Sequence, residues 1–133
     1  MWELPQSDDQ LANDNAMPAA SYVPIAEAVL AALMKLGRVL GSDAAAYPAL
    51  NMLMYLYIRQ KEGRPTSLSS TWLASGVAYS TARRYLNSIE ERGIVLRSSD
   101  PADGRRWLVR LAPAALQLIE TCLEPVRKTT IHS

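Results

Sequence analysis

Hydrophobic positions at helical spacing mark the first ordered stretch of the chain. Ile25, Val29, Leu33, Leu36 and Leu40 recur three or four residues apart, and Leu30, Met34 and Val39 widen the stripe. Pro24 suits a first helical turn, where its missing N–H would go unpaired anyway, and Gly41 marks the stop. The spacing predicts a helix from Pro24 to Gly41. A second helix is expected from Pro48 to Gly63, apolar nearly all round between Leu50 and Ile58. A helix apolar on every side belongs at the centre of a domain or between subunits. Two such helices carry more apolar surface than one small core can use, which points to a homodimer. Residues 1–22 are polar and acidic without periodicity, and are read as a mobile tail.

Further on the pattern shortens. Thr66 to Leu68 reads as a short strand, and Ser70 is expected to cap a brief helix through Trp72, Leu73 and Ala74. After a turn from Gly76 to Tyr79, Ser80 is the expected N-cap of a helix ending at Gly93. On that helix Ala82, Leu86 and Ile89 form the inner face. At about 100° per residue, Arg84 falls opposite it, with Ser80, Asn87 and Glu91 alongside. Thr81, Arg83 and Ser88 take the flanks, and Tyr85 is half-buried. Ile94–Arg97 and Trp107–Leu111 alternate as paired strands around SDPADGRRW, which reads as a turned, exposed loop shaped by Pro101 and Gly104. Its length argues against a two-residue hairpin. Pro113 then opens a last helix with Leu116, Ile119 and Leu123 on one face, ending near Lys128.

The fold class expected is mainly α with a small β-hairpin (α+β), a winged helix-turn-helix. Residues 24–62 would supply core and dimerisation helices, 64–111 the helix-turn-helix and wing, and 112–129 a C-terminal helix, all within one domain spanning 23–133.

Charge adds to this picture once it is divided along the chain. The net formal charge is +1, yet residues 1–58 hold two bases against six acids, and residues 59–110 hold ten bases against five acids. Nine of those ten are arginine, whose planar fork suits phosphates and guanine edges. A basic middle beside an acidic start suggests an anionic partner for the middle.

The residues STARRYLNSIEERGIVLRSSDPADGRRWLVRLAPAA resemble the core of the MarR-type (multiple-antibiotic-resistance repressor) winged-helix transcription regulators. The resemblance rests on Ile89, Glu90, Gly93, Ile94, Val95 and Arg97, then Asp100, Pro101, Asp103 and Arg105, then Val109, Leu111 and Pro113. It covers roughly residues 64 to 120. It implies a homodimer that binds double-stranded DNA, with a recognition helix in the major groove. By that analogy Ser80, Thr81, Arg83, Arg84 and Asn87 face DNA. Arg105 is the wing arginine, Asp103 orients it, and Arg106 adds positive charge. The chain departs from the family pattern at Ala112, where a capping threonine is usual, at Ala115 in place of glycine, and in a turn about two residues shorter before the recognition helix.

On the recognition helix, Arg84 is the best candidate for a base contact, since a guanidinium pairs in bidentate fashion with guanine. Arg83, Ser80 and Thr81 suit phosphates, which set register without reading sequence. Asn87 is suited to adenine or to solvent. Trp107 and Trp72 are read as packing residues, and Tyr55 and Tyr57 as core rather than the lining of an effector pocket.

Other chemistry is thinly represented. The one histidine is His132, and the one cysteine, Cys122, lies on an apolar helix and is read as buried filler, with redox sensing as the minor alternative. No zinc spacing, phosphate loop or carboxylate pair stands out, so neither a cofactor nor catalysis is expected. The start MWELPQSDDQ lacks a basic segment followed by an apolar run, and no stretch suits a bilayer, so a cytoplasmic protein is expected. Two rival readings share the scaffold: a winged-helix module that docks another protein without DNA, and a small-ligand sensor that has lost DNA binding.

Overall fold

The computed structural model describes residues 22–40 and 47–131. Helix α1 (Val23–Leu40) and helix α2 (Pro48–Lys61) come first. Strand β1 (Thr66–Ser67) leads directly into α3 (Leu68–Ala74), followed by α4 (Tyr79–Glu91). Strands β2 (Val95–Asp100) and β3 (Asp103–Leu111) form a hairpin, and α5 (Pro113–Ile131) closes the described chain. The three strands make one antiparallel sheet in the order β1-β3-β2. This is the expected α+β architecture.

The core forms where the apolar faces of these elements meet. Ala26, Met52, Leu56, Tyr57, Leu86, Ile89, Val95, Val109, Leu111, Ala115 and Leu123 are buried in one cluster. On α4 the buried positions are Ala82, Leu86 and Ile89, the spacing that left its polar face outward. Gly93 (φ +75°) ends α4 with paired reverse bonds, its own N–H to the Glu90 carbonyl at 3.0 Å and the Ile94 N–H to Ile89 at 3.0 Å. That left-handed cap turns the chain straight into the wing. The last N–H of β3, at Leu111, donates to Gln60 Oε1 at 2.9 Å, so a side chain of α2 continues the ladder where β1 stops.

Several boundaries differ from expectation, each for a local reason. The cap of α3 is Ser67, not Ser70: Ser67 Oγ accepts from the Ser70 N–H at 3.1 Å, and the same residue closes β1. The N-cap of α4 is Ala78 in an extended conformation (φ −60°, ψ 151°), without a side-chain bond, which places Ser80 inside the first turn. Tyr22, assigned to the tail, is buried and donates its hydroxyl to Glu124 on α5. The rest of that tail, 1–21, lies outside the described residues, as does Gly41. Helix α5 continues past Lys128 to Ile131, and past Pro125 within it.

The largest difference is in the wing. SDPADGRRW is mostly strand: Ser98 pairs with Leu108, Ser99 with Trp107 and Asp100 with Asp103, with a bulge between Ser99 and Asp100. Only Pro101 and Ala102 remain as a two-residue tip, where a longer loop was expected. Asp100 Oδ1 accepts from the Ala102 N–H at 2.9 Å, and Pro101 supplies the fixed φ of the turn. Gly104 sits within β3, not at the tip, and its backbone is not left-handed. Trp107 is 49% exposed rather than packed over a helix. Both faces of this outer hairpin meet solvent, so the sequence there carries no apolar alternation to reveal strands.

Candidate nucleic-acid interface

Helix α4 is anchored before it begins. Ser75 is fully buried, its hydroxyl donates to the Trp72 carbonyl at 2.6 Å, and it accepts from the Val77 N–H at 3.3 Å. Asn51 on α2 donates to the Ser75 carbonyl at 3.0 Å. Gly76 passes this amide with φ +79°, and a Cβ there would lie 3.5 Å from Asn51 Nδ2. Trp72 and Tyr79 meet edge to face at 4.7 Å between ring centroids, joining α3 to the start of α4.

The outward side of α4 is an open groove lined by Ser80, Arg83, Arg84, Asn87, Ser88 and Glu91. Four of the five helix residues expected to face DNA meet here. Thr81, half-buried, lies outside it. Arg83 makes no ion pair or side-chain hydrogen bond among the described residues. The Arg84 guanidinium lies 5.8 Å from the centroid of the Tyr85 ring and has no carboxylate partner among the described residues, Glu91 included. Tyr85 is 37% exposed, slightly more open than expected. With no side-chain cap at Ala78, the first-turn N–H groups of α4 add a positive end to this face.

The wing residues have distinct surroundings. Asp103 Oδ1 accepts from the Arg105 backbone N–H at 3.1 Å, so it shapes the main chain and does not grip the Arg105 side chain. The Arg105 guanidinium is therefore unpaired among the described residues. Arg106 lies 3.7 Å from Asp100 across the hairpin, which offsets part of its charge. Arg97, on β2, joins wing to helix: its Nη2 donates to Glu90 Oε1 at 2.9 Å and to Asn87 Oδ1 at 3.5 Å. Sequence reasoning placed Arg97 only as a motif position. Its place on the first wing strand, with an acid and an amide three residues apart on the preceding helix, was the available signal.

Tyr57 is fully buried core, its hydroxyl donating to Glu120 Oε2 at 2.6 Å; burial, and then that carboxylate, push its phenol far above the ordinary range. Tyr55 is half-buried and lines an open cavity of about 320 Å³ with Leu30, Met34, Ser70, Leu73 and Ala74. Cys122 is exposed rather than buried, because α5 turns that position outward. Among the described residues no group of three His, Cys, Asp or Glu side chains is placed to hold a metal, and no helix is long and apolar enough to cross a membrane.

A short capped helix, a pinned turn, a polar-faced helix and a β-hairpin together define a winged helix-turn-helix fold. Solved structures share this architecture. The chain is similar to MepR of S. aureus bound to ethidium bromide, at 17% identity over 95% of this chain and 70% of that one, with a TM-score of 0.50. A mutant form of S. aureus MepR aligns at 21% identity over 61% and 60% of the two chains, also at 0.50. The transcriptional regulator Tm0710 from Thermotoga maritima aligns at 25% identity over 75% and 65%, at 0.49. This chain spans about half to three-fifths of the length of the MepR chains it matches first, from 49% to 60%. No family model matches the sequence, and no curated protein does.

Proposed function

We propose that this protein is a cytoplasmic, sequence-specific transcription regulator of MarR type that binds double-stranded DNA as a homodimer. One observation carries the reading: the arginines on the outward face of α4 and at the wing, Arg83, Arg84 and Arg105, are exposed and free of carboxylate partners among the described residues. A cation left unpaired on an exposed surface costs little and remains available to a phosphate or a guanine edge. The fold shared with MepR is consistent with this use of the helix and the wing. Helix α4 would enter the major groove, with Arg84 reading bases while Arg83, Ser80, Thr81 and the first-turn N–H groups hold phosphates. Arg105 would reach the backbone or minor groove beside it, with Arg106 contributing less.

A protein-docking module would be favoured by acids interrupting the basic face. Glu90 does not do so, because Arg97 holds it. Glu91 lies at the far end of the groove, about two turns beyond the arginines. The test is to select bound duplexes from a randomised library and measure affinity against salt. Recovery of a pseudo-palindromic site, with a logarithmic salt slope of about −4 or steeper, supports a dimer neutralising several phosphates. A flat salt response with no recovered sequence would overturn the reading.

A further inference from the structure

We propose that Arg97 positions Asn87 so that its amide meets DNA with the NH2 group leading, and that this turn of α4 therefore selects guanine or thymine over adenine. The assignment rests on the DNA-binding reading above and concerns which base edge the helix accepts.

The geometry begins at Glu90. Its carboxylate anchors the Arg97 guanidinium at 2.9 Å, and only a minor part of each side chain is open: 26% for Arg97 and 34% for Glu90. That ion pair ties the guanidinium, which reaches over from β2, down onto α4. The same Nη2 then reaches Asn87 Oδ1, one helical turn before Glu90, at 3.5 Å. An arginine side chain carries donors only, so the amide atom turned toward it must be the oxygen. The opposite end of the amide, with two N–H donors, is left toward the groove shared with Arg83 and Arg84.

Base chemistry turns that orientation into a preference. Recognition of adenine by an asparagine needs the oxygen and the nitrogen presented together, one accepting from N6 and the other donating to N7. An amide whose oxygen is drawn back to a guanidinium leads with its donors. Acceptors without a neighbouring amino donor are found at guanine O6 and N7 and at thymine O4. Arg97 does not contact DNA in this scheme. It is a positioning residue, and its charge is already used by Glu90.

Duplex selection with the full chain and its variants tests this. The position read by residue 87 is the one whose preference disappears in Asn87→Ala. In the wild type it should show about 3- to 10-fold enrichment of guanine or thymine over adenine, the discrimination one or two hydrogen bonds supply. Arg97→Lys can still pair with the flexible Glu90 carboxylate, but its shorter side chain falls short of Asn87 Oδ1, which Nη2 itself meets only at 3.5 Å. It should remain folded and keep its preference at the position lost in Arg84→Ala, while the residue-87 preference levels or moves to adenine. A merely structural Arg97 would lower affinity for all sequences alike. Glu90→Gln, which loosens the anchor, should act in the same direction should the lysine variant not fold. Adenine at this position in the wild type, or an unchanged preference in Arg97→Lys, overturns the proposal.

A measurement without DNA separates this failure from that of the wider reading. The Asn87 side-chain NH2 pair in a nitrogen–proton NMR spectrum should shift in Arg97→Lys, and an unmoved pair also overturns the proposal. Failure to recover any duplex while the NH2 pair does shift would sink the DNA reading and leave the Arg97–Asn87 bond standing.

Discussion

The α2–α5 seam and the outward face of α4 use ionisable groups in opposite ways. In the seam, Glu120 is only 5% exposed and takes both the Tyr57 hydroxyl at 2.6 Å and the Lys61 ammonium at 3.1 Å. A little further along α5, Glu124 accepts from Tyr22 and from Arg127. On α4, Arg83 and Arg84 have no such partner among the described residues. The seam's charges are satisfied inside the protein and hold helices together, whereas Arg83 and Arg84 stay open to solvent. Net charge does not distinguish the two regions, but pairing does.

The largest effect expected from breaking this contrast is in the seam. Glu120→Ala leaves a buried phenol and a half-buried ammonium without their acceptor, and should cost about 2–4 kcal/mol in a urea titration. A loss below about 1 kcal/mol would mean the seam is not structural. Next in size, Arg84→Ala and Arg105→Ala should each weaken duplex binding roughly tenfold while shifting stability by no more than about 0.5 kcal/mol. Arg84→Ala alone should also relax base preference, whereas Arg105→Ala should weaken all sequences equally. If either variant instead unfolded the protein, the two regions would not divide the work as described.

Tyr57→Phe removes one donor yet leaves Glu120 with Lys61, so about 1 kcal/mol of stability should be lost. Arg106→Ala should affect DNA affinity less than Arg105→Ala, because Asp100 already takes part of its charge. The smallest effect is one of pH. Bonds from Arg127 and Tyr22 lower the Glu124 carboxyl from 4.5 to about 2. Because the folded form holds its proton less tightly than the unfolded chain, the contribution is complete above about pH 5 and fades as pH falls toward about 2. Unfolding midpoints at several acidic pH values should show this fade in the wild type and not in Glu124→Gln.

How much of this was legible in the sequence follows the same division. Helix α4 could be read because Ala82, Leu86 and Ile89 point inward while its other positions are polar, and the groove residues followed from that phase. The wing could not be read as strand, because Arg105, Arg106 and Trp107 face solvent on both sides of the hairpin and show no alternation. Tyr22 was missed because one aromatic after a polar stretch has no period to announce its burial; only a partner 102 residues away, Glu124, gives it a place. Ser67 caps α3 where Ser70 was expected, because one serine both ends β1 and starts the helix, and no loop separates the two elements to mark the boundary. Arg97's bond to Asn87 depends on the angle between helix and strand, which no spacing encodes.

The side chain of Gln60 that takes the Leu111 N–H has a consequence for how the protein behaves in a crowd. An open strand edge invites a strand from another molecule, and this sheet has two edges. At one, β1 and a helix side chain cover the inner end of β3, and the outer stretch Asp103–Trp107, which they leave open, carries the charges of Asp103, Arg105 and Arg106. At the other, β2 carries Arg97 and Asp100 and is kinked by its bulge. A chain built this way should tolerate high concentration without its wing becoming a seed for strand-to-strand aggregation.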